Sequence, residues 1–176
     1  MEIRRLNAGE IAPALFAGFD RRQEVNLCWR RGPDGSWEVR PDPFTDDWTA
    51  KELADLIADL AKTAACGGAV FAAFTEGRMA GFCSLSGKPS GSRGQYRDLT
   101  NLHVSRESRG QGIGRQLFAQ AAAEGRRMGG ERLYLSAHSA DETQRFYRNL
   151  GCRDAEEIIP AHVKAEPFDC QLEFLL

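Results

Sequence analysis

Nowhere in these 176 residues does a run of apolar side chains approach the roughly 18 needed to cross a bilayer, and 27% of the chain is charged. Neither a membrane span nor a secretory signal is predicted, so the expectation is a soluble, cytoplasmic protein with no membrane partner. A basic excess is missing as well. Lys and Arg number 23 against 25 Asp and Glu, a formal charge of -2, which removes the many phosphate contacts that dominate nucleic-acid binding. The five cysteines, Cys28, Cys66, Cys83, Cys152 and Cys170, are scattered, odd in number and form no C-x-x-C pair. They exclude a disulfide framework and a zinc ribbon, read as buried thiols in a reducing compartment, and leave no metal site expected. Internal repeats, low-complexity tracts and a second domain are also absent, and the length suits one domain over residues 1–176.

What the chain does have is an unusual stretch from Leu102 to Gly114, LHVSRESRGQGIG, in which strand-like alternation passes through a polar turn into Gly110, Gly112 and Gly114. An interior helical Gly costs about 1 kcal/mol against Ala, so three in five residues mark backbone that needs close approach or unusual dihedrals. Directly afterwards Ile113, Leu117, Phe118, Ala121 and Met128 recur at helical spacing. The first amides of that helix have no intrahelical partners and sit at the positive end of its dipole, so the turn can hold an anion such as a phosphate. A Walker loop would need Gly-Lys-Ser/Thr, and a dinucleotide fingerprint would need glycines at relative positions one, three and six; neither fits.

Around this stretch the pattern predicts a short strand over Glu2–Leu6 and a helix from Asn7 through Phe19 with Pro13 as its weak point. A hairpin follows, Gln23–Arg31 against Trp37–Arg40 across the turn Pro33-Asp34-Gly35-Ser36, then a connector over 41–47. Thr49 and Glu52 have capping-box spacing ahead of an amphipathic helix that ends at Gly67-Gly68. Strands are expected over Ala69–Phe74 and Met79–Leu85, antiparallel across a tight turn, and Ser86–Gly94 reads as a loop. Strand Tyr96–Val104, the glycine turn, the long helix and strand Arg132–Ala137 imply a parallel pair with a right-handed crossover. Ser139 and Glu142 suggest a third capping box, for a helix that stops at Gly151. The tail offers strands at Cys152–Ala155 and Cys170–Leu175 with a loop between them that contains Pro160 and Pro167.

The signature R/Q-x-x-G-x-G/A, here Arg109, Gly112 and Gly114, resembles the acetyl-CoA pyrophosphate loop of the GCN5-related N-acetyltransferase (GNAT) superfamily. The run SADETQRFYRNLGC, Ser139 to Cys152, is similar to a second family motif, F/Y-Y-x-x-L-G-F. The resemblance covers residues 69–176 well, as an acetyl-CoA-binding core, and residues 1–68 in outline, as a divergent acceptor-side part. It implies an α/β (α+β) domain with a mixed, mostly antiparallel central sheet flanked by helices, in which the fourth and fifth strands splay apart. It also implies that Leu102, His103 and Val104 meet the pantetheine arm by backbone contacts, and that Arg109, Gly110, Gln111, Gly112, Ile113 and Gly114 bind the pyrophosphate of acetyl-CoA. Tyr147 would approach the sulfur. An Asn that many members carry after the fifth strand is replaced by Ala140, which loses that contact or moves it to Ser139. A glutamate that some members use on that strand is replaced by Leu135.

By the same resemblance the expected activity is acetyl transfer from acetyl-CoA to a primary amine of a small molecule, by direct attack in a ternary complex. Protein lysines or amino termini as acceptors, and a non-catalytic acyl-CoA sensor, are the alternatives. Tyr147 is the candidate acid. The base is Asp98, His138 or a water; simple alternation puts Asp98 in phase with Leu102 and Val104, and a bulge would alter that phase. Trp29 and Trp37 with Glu24, Asp46 and Asp47 either line an acceptor site for a cationic amine or serve as hairpin core and solvated face. The acceptor's identity, and whether the protein is a monomer or a homodimer, stay open.

Overall fold

A computed structural model describes all residues, 1–176. A seven-stranded mixed sheet runs in the order β1-β4-β5-β6-β7-β9-β8, with a separate two-stranded hairpin, β2-β3. The strands are β1 (Glu2–Arg5), β2 (Gln23–Arg31), β3 (Trp37–Asp46), β4 (Ala69–Thr75), β5 (Arg78–Ser90), β6 (Tyr96–Val104), β7 (Arg132–Ala137), β8 (Arg153–Asp154) and β9 (Cys170–Leu175). All pairings within the sheet are antiparallel except β6 with β7, as expected for two strands joined through a helix.

Alternation along β4 and β5 builds a core on each face of the sheet. Val70, Ala72, Met79 and Phe82 pack with Ile57 and Leu60 of α1 (Ala50–Ala65). Ala73, Ala80, Cys83 and Leu85 pack with Ile113, Leu117, Phe118 and Ala121 of α2 (Ile113–Arg127). Gly81 is what lets α2 close on the sheet at its first turn. A Cβ there would stand 2.9 Å from the His103 carbonyl oxygen, 3.0 Å from Leu117 and 3.2 Å from Ile113. Thr49 and Glu52 form the expected capping box on α1, each bonding the other's backbone amide.

Several local expectations give way to tertiary context. The helix expected through Phe19 is two short 3-10 turns, Ala8–Glu10 and Pro13–Phe16; Asn7 and Glu10 do form a capping box, but Pro13 restarts the chain. The connector expected at 41–47 is largely strand, since β3 pairs with β2 as far as Asp46 around a bulge between Val25 and Leu27 that accommodates Pro41 and Pro43. Residues 86–90, expected in a loop, extend β5 and pair Pro89 and Ser90 with Arg97 and Tyr96. Helix α3 (Asp141–Asn149) has Ala140 as its N-cap with no side-chain cap, because the Ser139 hydroxyl accepts from Arg30 at 2.6 Å instead. The loop expected before β9 contains helix α4 (Pro160–Ala165), with Pro160 at its first position, where a missing N–H costs nothing.

The hairpin is fastened to α3 and the residues before it. Trp29 N donates to the Ser139 carbonyl at 2.8 Å, Cys28 bridges to Ala140, Trp29 Nε1 donates to Asp141 at 2.9 Å, and Trp37 Nε1 donates to Asp154 at 2.9 Å. The Arg148 guanidinium lies 4.5 Å from the Trp29 ring centre and also pairs with Asp154.

Leu117 is fully buried between α2 and the sheet. Leu117→Ala should lower stability by roughly 2–5 kcal/mol, read as a lower urea midpoint with unchanged slope; a loss below 1 kcal/mol would mean that the helix is not seated on β5 as described.

Candidate active site

Strands β6 and β7 pair through only three residues, Tyr96, Arg97 and Asp98 against Arg132, Leu133 and Tyr134, and then part. On its other side β6 stays bonded to β5 as far as Val104. From Leu99 onward β6 therefore presents unpaired backbone donors and acceptors along one edge, which an amide-containing ligand can satisfy as an added strand would. The gap opens into a cleft of about 880 Å³, lined by residues 99–104 of β6, by Leu135, Ser136 and Ala137 of β7, by the glycine turn, and by Phe146 and Tyr147 of α3.

At the mouth of the cleft nearest α2 the site is built for an anion. Gly110 and Gly112 have φ of +75° and +80°, and Gly112 is the N-cap of α2. Positive φ aims successive amides outward at a cost that only Gly escapes. None of the amides from Gly110 through Arg115 donates to a protein acceptor, whereas Gln116 N bonds Gly112 O at 3.2 Å. Gly114 faces the Phe146 ring, where a Cβ would come within 3.2 Å. The Arg109 side chain does not face an incoming anion. Its guanidinium donates to the carbonyls of Val104, Arg21 and Arg22 at 2.8–3.0 Å and so ties the turn to the segment before β2. Gln111 lies outside the cleft lining, its side-chain amide spent on Glu107 O.

Deeper in, Tyr147 is almost wholly buried between Phe118 and Phe146, and burial raises its phenol above the ordinary range, so it stays protonated. Its hydroxyl has no protein partner and borders the cleft.

The far end is acidic. Asp46, Glu166 and Asp169 line it together with His138 and His162. Asp46 pairs with Arg21, whose Nε is buried without a partner. Burial raises the Asp169 carboxyl to about 6, against a hydrogen bond from Ser136 Oγ at 3.1 Å that lowers it. His138 Nδ1 accepts the Ala140 amide at 3.1 Å, which leaves its proton on Nε2, 4.0 Å from Asp46. A neutral imidazole has one acceptor nitrogen, and this one is taken, so the structure gives His138 no lone pair to use as a base.

Asp98 does not line the cleft. A bulge at Thr100, where Asn101 faces Ser84 and Leu99 faces Leu85, reverses the alternation. It is stitched by Ser84 Oγ to Thr100 Oγ1 at 2.7 Å and by Asn101 Nδ2 to Ser84 Oγ at 2.9 Å. Leu99, not Asp98, consequently shares the α2 face with Leu102 and Val104. Both Asp98 oxygens are engaged, one by the Ser90 hydroxyl and the other by His162 Nε2 at 3.0 Å, so Asp98 reaches the cleft only through His162. His162 in turn stacks on Tyr134, with ring centres 5.3 Å apart.

Leu102, His103, Val104 and Ile113 line the cleft. Ser139, Trp29 and Glu24 do not. Ser139 and Trp29 hold the hairpin, and Glu24 is exposed and bonded to Arg22 and Thr45. From the first 68 residues only Arg21, Gln23 and Asp46 enter the cleft; the rest of its acidic end comes from β7 and from residues 162–169. His162, Glu166, Asp169 and Ser136 escaped the sequence reading. The available hint was Pro160, whose fixed φ suits a helix start, within a segment otherwise read as loop.

The His103 imidazole is packed against Trp48 and Phe82, with ring centres 5.0 and 5.3 Å away. Burial, aided by the Arg21 and Arg109 charges, lowers its pKa from 6.5 to about 3. The unfolded chain then binds the proton first as pH falls, so this contribution to stability is complete above about 6.5 and is lost toward about 3. Thermal melts of His103→Phe should show a shallower loss of Tm between about pH 6 and 4 than the parent; parallel curves would mean that His103 is solvated.

A family model described as the acetyltransferase (GNAT) family matches residues 34–152, more than half of the chain. No curated protein matches the sequence. Among solved structures, nourseothricin acetyltransferase is similar at 19% identity, with 98% of this chain and 95% of that one covered and a TM-score of 0.70. A protein described as a streptothricin acetyltransferase, from Bacillus anthracis str. Ames in complex with acetyl coenzyme A, is similar at 15% identity, with coverage of 99% and 98% and a TM-score of 0.75. An aminoglycoside 6'-N-acetyltransferase complexed with coenzyme A aligns at 14% identity over 73% of this chain and 81% of that one, with a TM-score of 0.55. The parted strands, the glycine turn that caps α2 and a family model that spans both motifs together establish that this chain belongs to the GNAT family of acetyltransferases.

Proposed function

We propose that this protein transfers an acetyl group from acetyl-CoA to a primary amine on a small cationic molecule, by direct attack while both are bound. The observation that carries the reading is a single cleft that joins a free strand edge and a row of unpartnered amides to an acid-lined end, with the Tyr147 hydroxyl between them. The residues present fit acetyl-CoA. Amides from Gly110 to Arg115 suit its diphosphate, the open edge of β6 suits the amides of its pantetheine arm, and Arg115 adds positive charge at the mouth. Bound there, acetyl-CoA supplies an activated acyl group on a thiol leaving group.

The acidic end addresses the acceptor. An amine with a reference pKa near 10.4 is neutral about once in 2,500 molecules at pH 7, a handicap of roughly 4.6 kcal/mol. Carboxylates at Asp46, Glu166 and Asp169 favour binding of the ammonium form, so its deprotonation belongs inside the site. Tyr147, held neutral by burial, is suited to donate its proton to the departing sulfur. The names of the similar structures, nourseothricin, streptothricin and aminoglycoside acetyltransferases, support a small-molecule amine as acceptor over a protein.

Purified protein given acetyl-CoA with streptothricin, an aminoglycoside and lysine methyl ester should release free thiol with at least one of them. Tyr147→Phe should lower kcat about 100-fold or more while CoA affinity by calorimetry stays unchanged. An unaltered rate would remove Tyr147 from this role. Gly112→Val, which must adopt a left-handed backbone at roughly 1–2 kcal/mol, should weaken CoA binding about tenfold. Unchanged affinity would mean that the turn does not hold the diphosphate.

A further inference from the structure

The geometry points to Asp169 as the proton acceptor for the incoming ammonium, a role that neither family motif contains. The inference rests on the acetyltransferase reading above. Asp169 stands at the last position before β9, in the cleft wall, and is held by β7 through the Ser136 hydroxyl on Oδ2. Its other oxygen, Oδ1, has no protein partner. Glu142 and Glu166 also line the cleft but are exposed to solvent, and three other titratable groups near it are already committed. His138 spends its acceptor nitrogen on the Ala140 amide, Asp46 is paired with Arg21, and Asp98 has both oxygens bonded. Asp169 is also close enough to Tyr147 for its charge to raise the phenol further, which puts candidate acid and candidate base within electrostatic reach of each other.

The groups that face Asp169 come from several elements. Glu166, just after α4, and Asp46, at the end of β3, both oppose its ionisation; His162 on α4 favours it, and Ser136 on β7 donates to it. Burial outweighs the favourable contacts and leaves the carboxyl near 6, a value at which it is ionised at neutral pH yet basic enough to take a proton. The arriving ammonium gives one proton to Oδ1, which passes it to solvent. The nitrogen lone pair then forms the N–C bond at the thioester carbonyl as the C–S bond breaks, and the electron pair leaves on sulfur. Sulfur takes the Tyr147 hydroxyl proton, and the second proton lost from nitrogen restores Tyr147 through solvent.

Asp169→Asn keeps the acceptor for Ser136 and removes the charge, so the test separates chemistry from support. With streptothricin as acceptor, kcat/KM should fall about 100-fold, the acid limb of its pH profile near 6 should disappear, and CoA affinity should stay unchanged. A raised carboxyl pKa means that ionisation destabilises the fold as pH climbs through about 4 to 6. The variant should therefore melt above the parent at pH 7 and level with it at about pH 4. A carboxylate kept only for structure would instead lower Tm at pH 7. Parent turnover that Asp169→Asn leaves within threefold overturns the assignment and leaves the acetyltransferase reading standing, as does loss of the acid limb in His162→Gln and not in Asp169→Asn. Absence of parent turnover with every amine tested overturns that reading itself.

Discussion

The parting of β6 from β7 after three paired residues is the constraint on which the site depends. A parallel pair normally continues until one strand ends, because an unpaired backbone edge is costly wherever water is excluded. Where the strands diverge, Leu99, Leu135, Ala137 and Tyr147 belong to one buried cluster and line the cleft. The Thr100 bulge then sets what each β6 residue shows. It turns Leu102 and Val104 toward α2 and delivers His103 to the opposite face, between Trp48 and Phe82. Gly81, opposite Val104, lets the first turn of α2 seat against the strand, so the amides at the helix start lie at the end of the exposed edge.

Charge divides the cleft into two ends. Arg21, Arg109, Arg115 and the start of α2 give one end positive potential, and Asp46, Glu166 and Asp169 give the other negative potential. Arg21 and Asp46 pair between them. In the proposed reading, this distribution would separate an anionic carrier from a cationic acceptor, with Tyr147 between them. The proton states follow from local partners. Burial without a hydrogen bond keeps Tyr147 protonated, an accepted amide fixes the His138 tautomer, and burial against one hydroxyl leaves Asp169 weakly acidic.

The hairpin is not an ornament on this arrangement. Trp29, Trp37, Arg30 and Arg148 join it to α3 and to Asp154 through hydrogen bonds and a cation–π contact, and the hairpin carries Asp46 to the cleft at the end of β3. The two indoles do no lining of their own because their N–H groups are already committed.

Much of the fold was legible in order along the chain. Capping boxes at Asn7 and Thr49, the turn at Gly67, the antiparallel pair across Glu76-Gly77 and the glycine turn before α2 are interactions among residues a few positions apart, so their signals lie side by side in the sequence. The phase of Asp98, the fate of Ser139 and the short helix α4 were not legible, since a bulge, a competing arginine and a neighbouring strand decided them. By itself the sequence determined where an anion could be gripped, because a helix start with glycines needs only its own backbone. Only tertiary structure decided which acids face that grip. Asp46, Asp98 and Asp169 are separated by dozens of residues, and whether each points into the cleft, away from it or at a histidine is set by sheet order and register, which no local pattern encodes.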